Sequence, residues 1–158
     1  VGVVMAGSDK RPELILGNQD AEFLRIEGVD YAFPQAQNPW SANWLKCDIA
    51  IKAGSFGGKY MANIRNIDFR TFKDELKFLR DKPDGKAIFN SFEEYLEVRI
   101  EGNGLGDYIA LCRAKDKFSA YGNRLMFLLK FQKSDIPTLA GMIDDILKRF
   151  PLREIDGC

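Results

Sequence analysis

Two stretches of the chain carry the same pattern of apolar positions. In the first, Tyr60, Ala62 and Ile64 stand at every second residue, Asp68 follows, and Phe69, Phe72, Leu76 and Leu79 recur at helical spacing. In the second, Phe127, Leu129, Phe131, Asp135, Ile136, Leu139, Ile143 and Ile146 occupy the matching places. A period of two lines one side of a strand, and a period near 3.6 lines one side of a helix. Each stretch therefore predicts a strand running into an amphipathic helix, with the change of period at the same point in both.

The strands before each helix follow from the same reasoning. In the first half, Glu13–Leu16 reads as a short edge strand and Phe23–Val29 as a second. Leu45, Cys47, Ile49 and Ile51 alternate with Lys46, Asp48, Ala50 and Lys52, the signature of a half-buried antiparallel strand. Glycines at 54, 57 and 58 supply a tight turn into Lys59–Arg65. Asp68 is the candidate N-cap of the first helix, which runs to about Arg80 or Asp81 and stops before Pro83-Asp84-Gly85. In the second half, strands fall near 86–91, 95–101, 107–114 and 124–132. The closing helix starts at Ser134 or Asp135, admits Pro137 in its first turn and ends near Phe150-Pro151.

The predicted order is strands, helix, strands, helix, with no need for a parallel crossover. The expected class is α+β: an antiparallel sheet of about seven strands with two helices on one face, built from two meander-plus-helix units. Residues 13–158 form a single domain. Residues 1–12 read as disordered, as a remnant of cloning or as the edge of a longer protein, since their apolar run is too short for a signal peptide and no basic segment precedes it. The two units differ in their connections. The first has a long loop at Asp30–Asn43 and a tight turn at 54–58; the second has a tight turn at 102–106 and a long loop at Lys115–Asn123. Long loops are where function is usually carried.

Composition narrows the chemistry. The 158 residues are 46% hydrophobic and 29% charged, as in an ordinary globular chain, and 12 Phe point to a core built on rings. Lys plus Arg and Asp plus Glu are both 23, so no overall field draws in nucleic acid or an anionic membrane. Three cysteines, Cys47, Cys112 and Cys158, have no metal-type spacing; Cys47 reads as a small core residue, and a reducing cytoplasm is the simplest compartment. There is no histidine. That removes Ser–His and Cys–His dyads and the commonest zinc ligand.

The remaining candidates mostly have bland explanations. Glu93-Glu94 and Asp144-Asp145 are neighbours that diverge on a strand or helix and do not converge on one substrate atom. Gly102-Asn-Gly104-Leu-Gly106 looks like a dinucleotide-binding loop, but a strand follows it where that motif requires a helix N-terminus, so the glycines read as hairpin residues. Lys46, Lys52, Lys59 and Arg65 share a solvated sheet face with Asp48, without the interleaved aromatics of a nucleic-acid platform. Trp44 leads into an apolar-in strand and belongs to the core. Trp40, in the long loop, either caps an end of the core or presents an anchor to a partner.

Taken in order, Trp40-x-x-Asn43-Trp44-Leu45, Gly54-Ser-Phe-x-Gly58, Phe69-x-x-Phe72-x-x-Glu75-Leu76, Gly102-x-Gly104-x-Gly106 and Gly122-Asn123-x-Leu125-x-Phe127 resemble the WapI-type immunity protein family over roughly Phe23 to Phe150. The resemblance implies a cytoplasmic protein that protects bacteria from the toxic C-terminal domain of a contact-delivered polymorphic toxin, often a nuclease. It implies an inhibitor that acts by binding, not an enzyme, with no cofactor and no metal. The expected partner is the cognate toxin domain, with no nucleic acid and no membrane. Contacts are expected from Gln37 and Trp40 in the first long loop and from Lys117, Phe118 and Tyr121 in the second. A small-molecule-binding or regulatory α+β module is the alternative, and a histidine-free hydrolase using carboxylates and a divalent metal is a third.

Overall fold

The alternating segments fold into two antiparallel meanders. In the first, β1 (Glu13–Gly17), β2 (Phe23–Tyr31), β3 (Trp44–Ala53) and β4 (Phe56–Arg65) pair in chain order, with the one-turn helix α1 (Pro39–Ala42) between β2 and β3. The helix α2 (Asn66–Asp81) then leads to β5 (Lys86–Asn90), β6 (Leu96–Gly102), β7 (Asp107–Lys115) and β8 (Arg124–Gln132), again paired in chain order. A 3-10 turn at Lys133–Asp135 enters α3 (Ile136–Arg149). This is a computed structural model, and it describes residues 10–82, 84–91, 93–117 and 119–154.

The class is α+β and wholly antiparallel, as the periodicities require. Among the described residues there are eight strands where about seven were expected, and they form two four-stranded sheets instead of one continuous layer. The physical reason lies in the helices. α2 packs along β5 and α3 packs along β1, so each helix covers the first strand of the other unit. Glu75 of α2 accepts a hydrogen bond from Ile88 N at 3.1 Å, satisfying an amide on the open side of β5. Met142 of α3 lies 3.3 Å from Ile15 N on β1. Edges covered this way offer nothing for the next sheet to extend.

Both predicted stripes are buried. Phe69, Phe72, Leu76 and Leu79 of α2, and Ile136, Leu139, Ile143 and Ile146 of α3, all join one core with the inward faces of both sheets. Phe89 of β5 sits against Phe69 and Phe72, ring centres 5.4 Å from each. Burying a ring of that size contributes about 2–3 kcal/mol by area alone. The helices lie side by side, joined across their polar flank by Lys73 and Asp144.

Three local expectations change. Asp68 does not cap α2. The N-cap position is Arg65, and Asp68 lies in the first turn with its carboxylate 3.0 Å from Arg65 Nη2, where it also meets the positive end of the helix dipole. The closing helix begins one residue later than expected, at Ile136, because Gln132 and Asp135 form a reciprocal cap around the 3-10 turn. The region Asp30–Asn43 is not all loop: Asn38 Oδ1 accepts from Ser41 N at 2.9 Å and Pro39 starts α1.

The glycines of the β6–β7 hairpin serve the turn, as expected. Gly104 and Gly106 take φ of 80° and 97°, a region that other residues rarely enter, and Asn103 Oδ1 accepts from Leu105 N at 2.7 Å. At the N-terminus, Pro12 O accepts from Gly28 N at 2.9 Å and Arg11 reaches Glu27 at 3.2 Å, so the chain is docked on the sheet from at least Arg11 onward.

Candidate partner-binding surface

β7 and β8 make the least ordinary surface of the molecule. Their inward residues, Tyr108, Ala110, Cys112 and Ala114 on β7 and Phe127, Leu129 and Phe131 on β8, fill the core. The outward residues of a sheet with one solvated face should be polar. Here Ile109 (45% exposed), Leu111 (43%), Met126 (71%) and Leu128 (53%) also point outward. Leu111 is paired directly with Leu128, Ile109 with Lys130, and Arg113 with Met126, so the four apolar side chains are contiguous. β8 is also an outermost strand of its sheet. None of the four was expected from sequence. The signal was there in Leu125-Met-Phe-Leu-Leu129, an unbroken apolar run that leaves no polar face to a two-sided strand.

The β7–β8 loop continues from one end of this strip. Its neck is closed by Asp116, whose carboxylate accepts from Asn123 N at 2.8 Å and from Asn123 Nδ2 at 3.0 Å. The Asn123 side-chain bond is the first reason the Asp116 carboxyl is held below its ordinary range. Beyond the neck, Ser119 Oγ accepts from Tyr121 N at 3.1 Å, and Tyr121 stands 95% exposed. Lys117 is exposed on the same loop. Phe118 lies outside the described residues.

Gln37 and Trp40 belong to the other sheet. Gln37 is exposed just ahead of α1. Trp40 is half exposed, edge-on to Trp44 at 5.7 Å, with the Arg65 guanidinium 5.0 Å from its ring centre. It therefore covers the buried Trp44 and still shows a face to solvent. The α1 segment is pinned by the chain beyond α3: the Arg153 guanidinium donates to Phe33 O, Pro34 O and Ala42 O, and Arg153 N donates to Asn43 Oδ1 at 2.8 Å. Trp40 and Tyr121 thus sit on loops of different sheets. The link between those sheets on this side runs through Tyr95 O, which accepts from Tyr60 Oη at 2.8 Å and from Lys115 N at 3.0 Å.

A groove of about 970 Å³ lies where β1 and its turn approach β7, β8 and the start of α3. Ile15, Tyr108, Phe131, Leu139 and Met142 line it, with Asp20, Asp107 and Lys130 among its charged residues. Among the described residues no group of three or more His, Cys, Asp or Glu could hold a metal ion. Cys47 and Cys112 are buried core residues, and burial pushes both thiols up, Cys112 to about 12, so neither is a thiolate near neutral pH. Among the described residues no helix is long and apolar enough to cross a membrane.

Comparison with known proteins agrees with the resemblance read from the motifs. No curated protein matches the chain. A solved structure described as "Crystal structures of trypanosoma bruciei MRP1/MRP2" is 11% identical, with a TM-score of 0.47 over 87% of this chain and 83% of that one, too distant to bear on function. The model of the immunity protein WapI-like family matches residues 14–151, which takes in every strand but the first residue of β1, all three helices and both long loops. The chain therefore belongs to the WapI-like immunity protein family, whose general role is to bind and neutralise a toxin.

Proposed function

We propose that this protein acts in the bacterial cytoplasm as a non-catalytic inhibitor of the toxic C-terminal domain of a cognate contact-delivered toxin. It docks on that domain and denies it its substrate. Contacts come from Lys117, Phe118 and Tyr121 in the β7–β8 loop, and from Gln37 and Trp40 beside α1.

What supports this most is Tyr121. A tyrosine 95% exposed on a loop whose neck is closed by Asp116 and Asn123 presents a large aromatic surface to solvent, and tyrosine is among the residues that most often anchor an interface. Two buried thiols and the absence of any histidine favour occlusion over turnover.

The test is co-expression with the toxin domain encoded beside this gene. Cells should survive induction, and the two proteins should co-elute on gel filtration. Equal killing with and without the protein, and no complex, would refute the proposal.

A second reading is favoured by the groove between β1, β8 and α3, which is large enough for a small ligand. A metabolite that raises the melting temperature, and does so no longer when Met142→Arg fills the groove, would favour that reading instead.

A further inference from the structure

Among the described residues, the apolar strip on β7 and β8 is not needed to fill the core. Phe127, Leu129 and Phe131 already supply the inward face of β8, and Tyr108, Ala110 and Cys112 that of β7. Strand propensity does not account for Met126, Leu128 and Leu111 either, since exposed strand positions favour Thr, Val, Ile and aromatic residues. Single exposed apolar residues are ordinary. Four in contact across two paired strands form a patch that monomers rarely leave bare without a use.

We propose that Ile109, Leu111, Met126 and Leu128, continued into the β7–β8 loop, are the core of the toxin-docking surface, and that the toxin meets them with an apolar patch ringed by carboxylates. This rests on the immunity function proposed above and adds which face binds and what chemistry it selects.

The charges around the strip set the partner's sign. Along the outer face of β8, Arg124, Met126, Leu128 and Lys130 follow one another, so a cation stands at each end of the apolar pair. In the neighbouring rows Arg99 is beside Leu111, and Arg113 beside Met126. Against these cations stand three acids on the same face: Glu97, 3.9 Å from Arg113; Glu101, 3.5 Å from Lys86 and 3.7 Å from Arg99; and Asp107 at the far end of β7, so Lys86, Arg99, Arg113, Arg124 and Lys130 outnumber them. The chain is neutral as a whole, yet this face keeps a surplus of positive charge around an apolar centre. An apolar core inside a polar, charge-complementary rim is the anatomy of a protein interface. Nucleic acid would share the charge but calls for stacking rings, and the four central side chains are aliphatic.

The experiment measures binding of the full-length protein to the toxin domain encoded beside its gene, with Met126→Glu, Leu128→Glu, Arg124→Glu/Lys130→Glu and Phe56→Ser as variants. Phe56, 69% exposed at the start of β4, is the control for an exposed apolar side chain elsewhere. Because all the altered side chains are exposed, melting temperatures should match the unaltered protein. Met126→Glu and Leu128→Glu should each weaken binding about 100-fold or more. The double charge reversal should slow association and flatten its salt dependence, and Phe56→Ser should bind as before.

If the unaltered protein binds and protects cells while Met126→Glu and Leu128→Glu do so equally well, the docking face is wrong and the immunity function stands. If the unaltered protein neither binds nor protects, both fall together. Light scattering that shows a homodimer dissolved by Met126→Glu would assign the strip to self-association. Binding of a single-stranded oligonucleotide that the same variants abolish would assign it to nucleic acid. Either result overturns the proposal.

Discussion

Arg153 lies over the ring of Tyr31, its guanidinium carbon 4.0 Å from the ring centre. The two residues close the chain's end onto its first long connection. Tyr31 Oη donates to Pro151 O at 2.6 Å, while the guanidinium fork donates to Ala42 O at 2.8 Å, Pro34 O at 2.8 Å and Phe33 O at 2.9 Å. A planar fork that stacks on a ring while serving several carbonyls is a task for arginine and not for lysine.

Arg153→Ala should therefore destabilise the protein by about 2 kcal/mol, through one cation–π contact and several charge-assisted hydrogen bonds. Arg153→Lys should recover only part of that. Urea denaturation checks both. Trp40 and Trp44, on the segment that Arg153 holds, should change their fluorescence before the global transition.

Phe89→Ala should cost about 3–5 kcal/mol, since the ring fills the space between Phe69 and Phe72, where α2 meets β5. Chemical denaturation with an unchanged m-value would show that the loss is one of packing within the same fold.

Glu75→Ala should cost about 1–3 kcal/mol because it leaves Ile88 N on the covered side of β5 without its acceptor. Amide exchange at Ile88 should speed up well before exchange at the central strands. Unchanged protection there would show that the carboxylate is dispensable.

The loop neck should loosen in acid. The Asp116 carboxyl is depressed in the folded protein by its bonds from Asn123, so its contribution is complete above the ordinary carboxyl range, about pH 4, and is lost as pH falls through the lower folded value. The amide resonance of Asn123 should hold steady from neutrality to about pH 4 and shift below it. In Asp116→Asn the same resonance should no longer respond to acid.

Cys47 and Cys112 should resist a thiol reagent at pH 8 in the folded protein and react fully on unfolding, because burial keeps both thiols protonated. A Cys158→Ser background leaves these two cysteines alone to report.

The sequence by itself determined the strands, the two long helices and their order, but not α1 or the 3-10 turn before α3. Period-two and period-3.6 patterns are local consequences of which face must leave water, so the buried stripes of α2 and α3, the inward faces of β3 and β4, and the positive-φ glycines of the β6–β7 turn could all be named from residue spacing. So could the family, because its motifs are the turns and core positions that define the fold. Tertiary structure decided the rest. Nothing in Glu75 or Met142 shows that one will reach Ile88 and the other Ile15, and those reaches accompany the helix-covered edges that keep the strands in two sheets. Nothing in Arg153 marks it as the clasp of a segment more than a hundred residues earlier. Met126 and Leu128 lie in an unbroken apolar run whose spacing does not say which side is covered, and only the pairing of β8 with β7 alone left them outward as a surface that water would not choose. Spacing along a chain reports which side of an element is apolar; whether anything covers that side depends on partners far away in sequence.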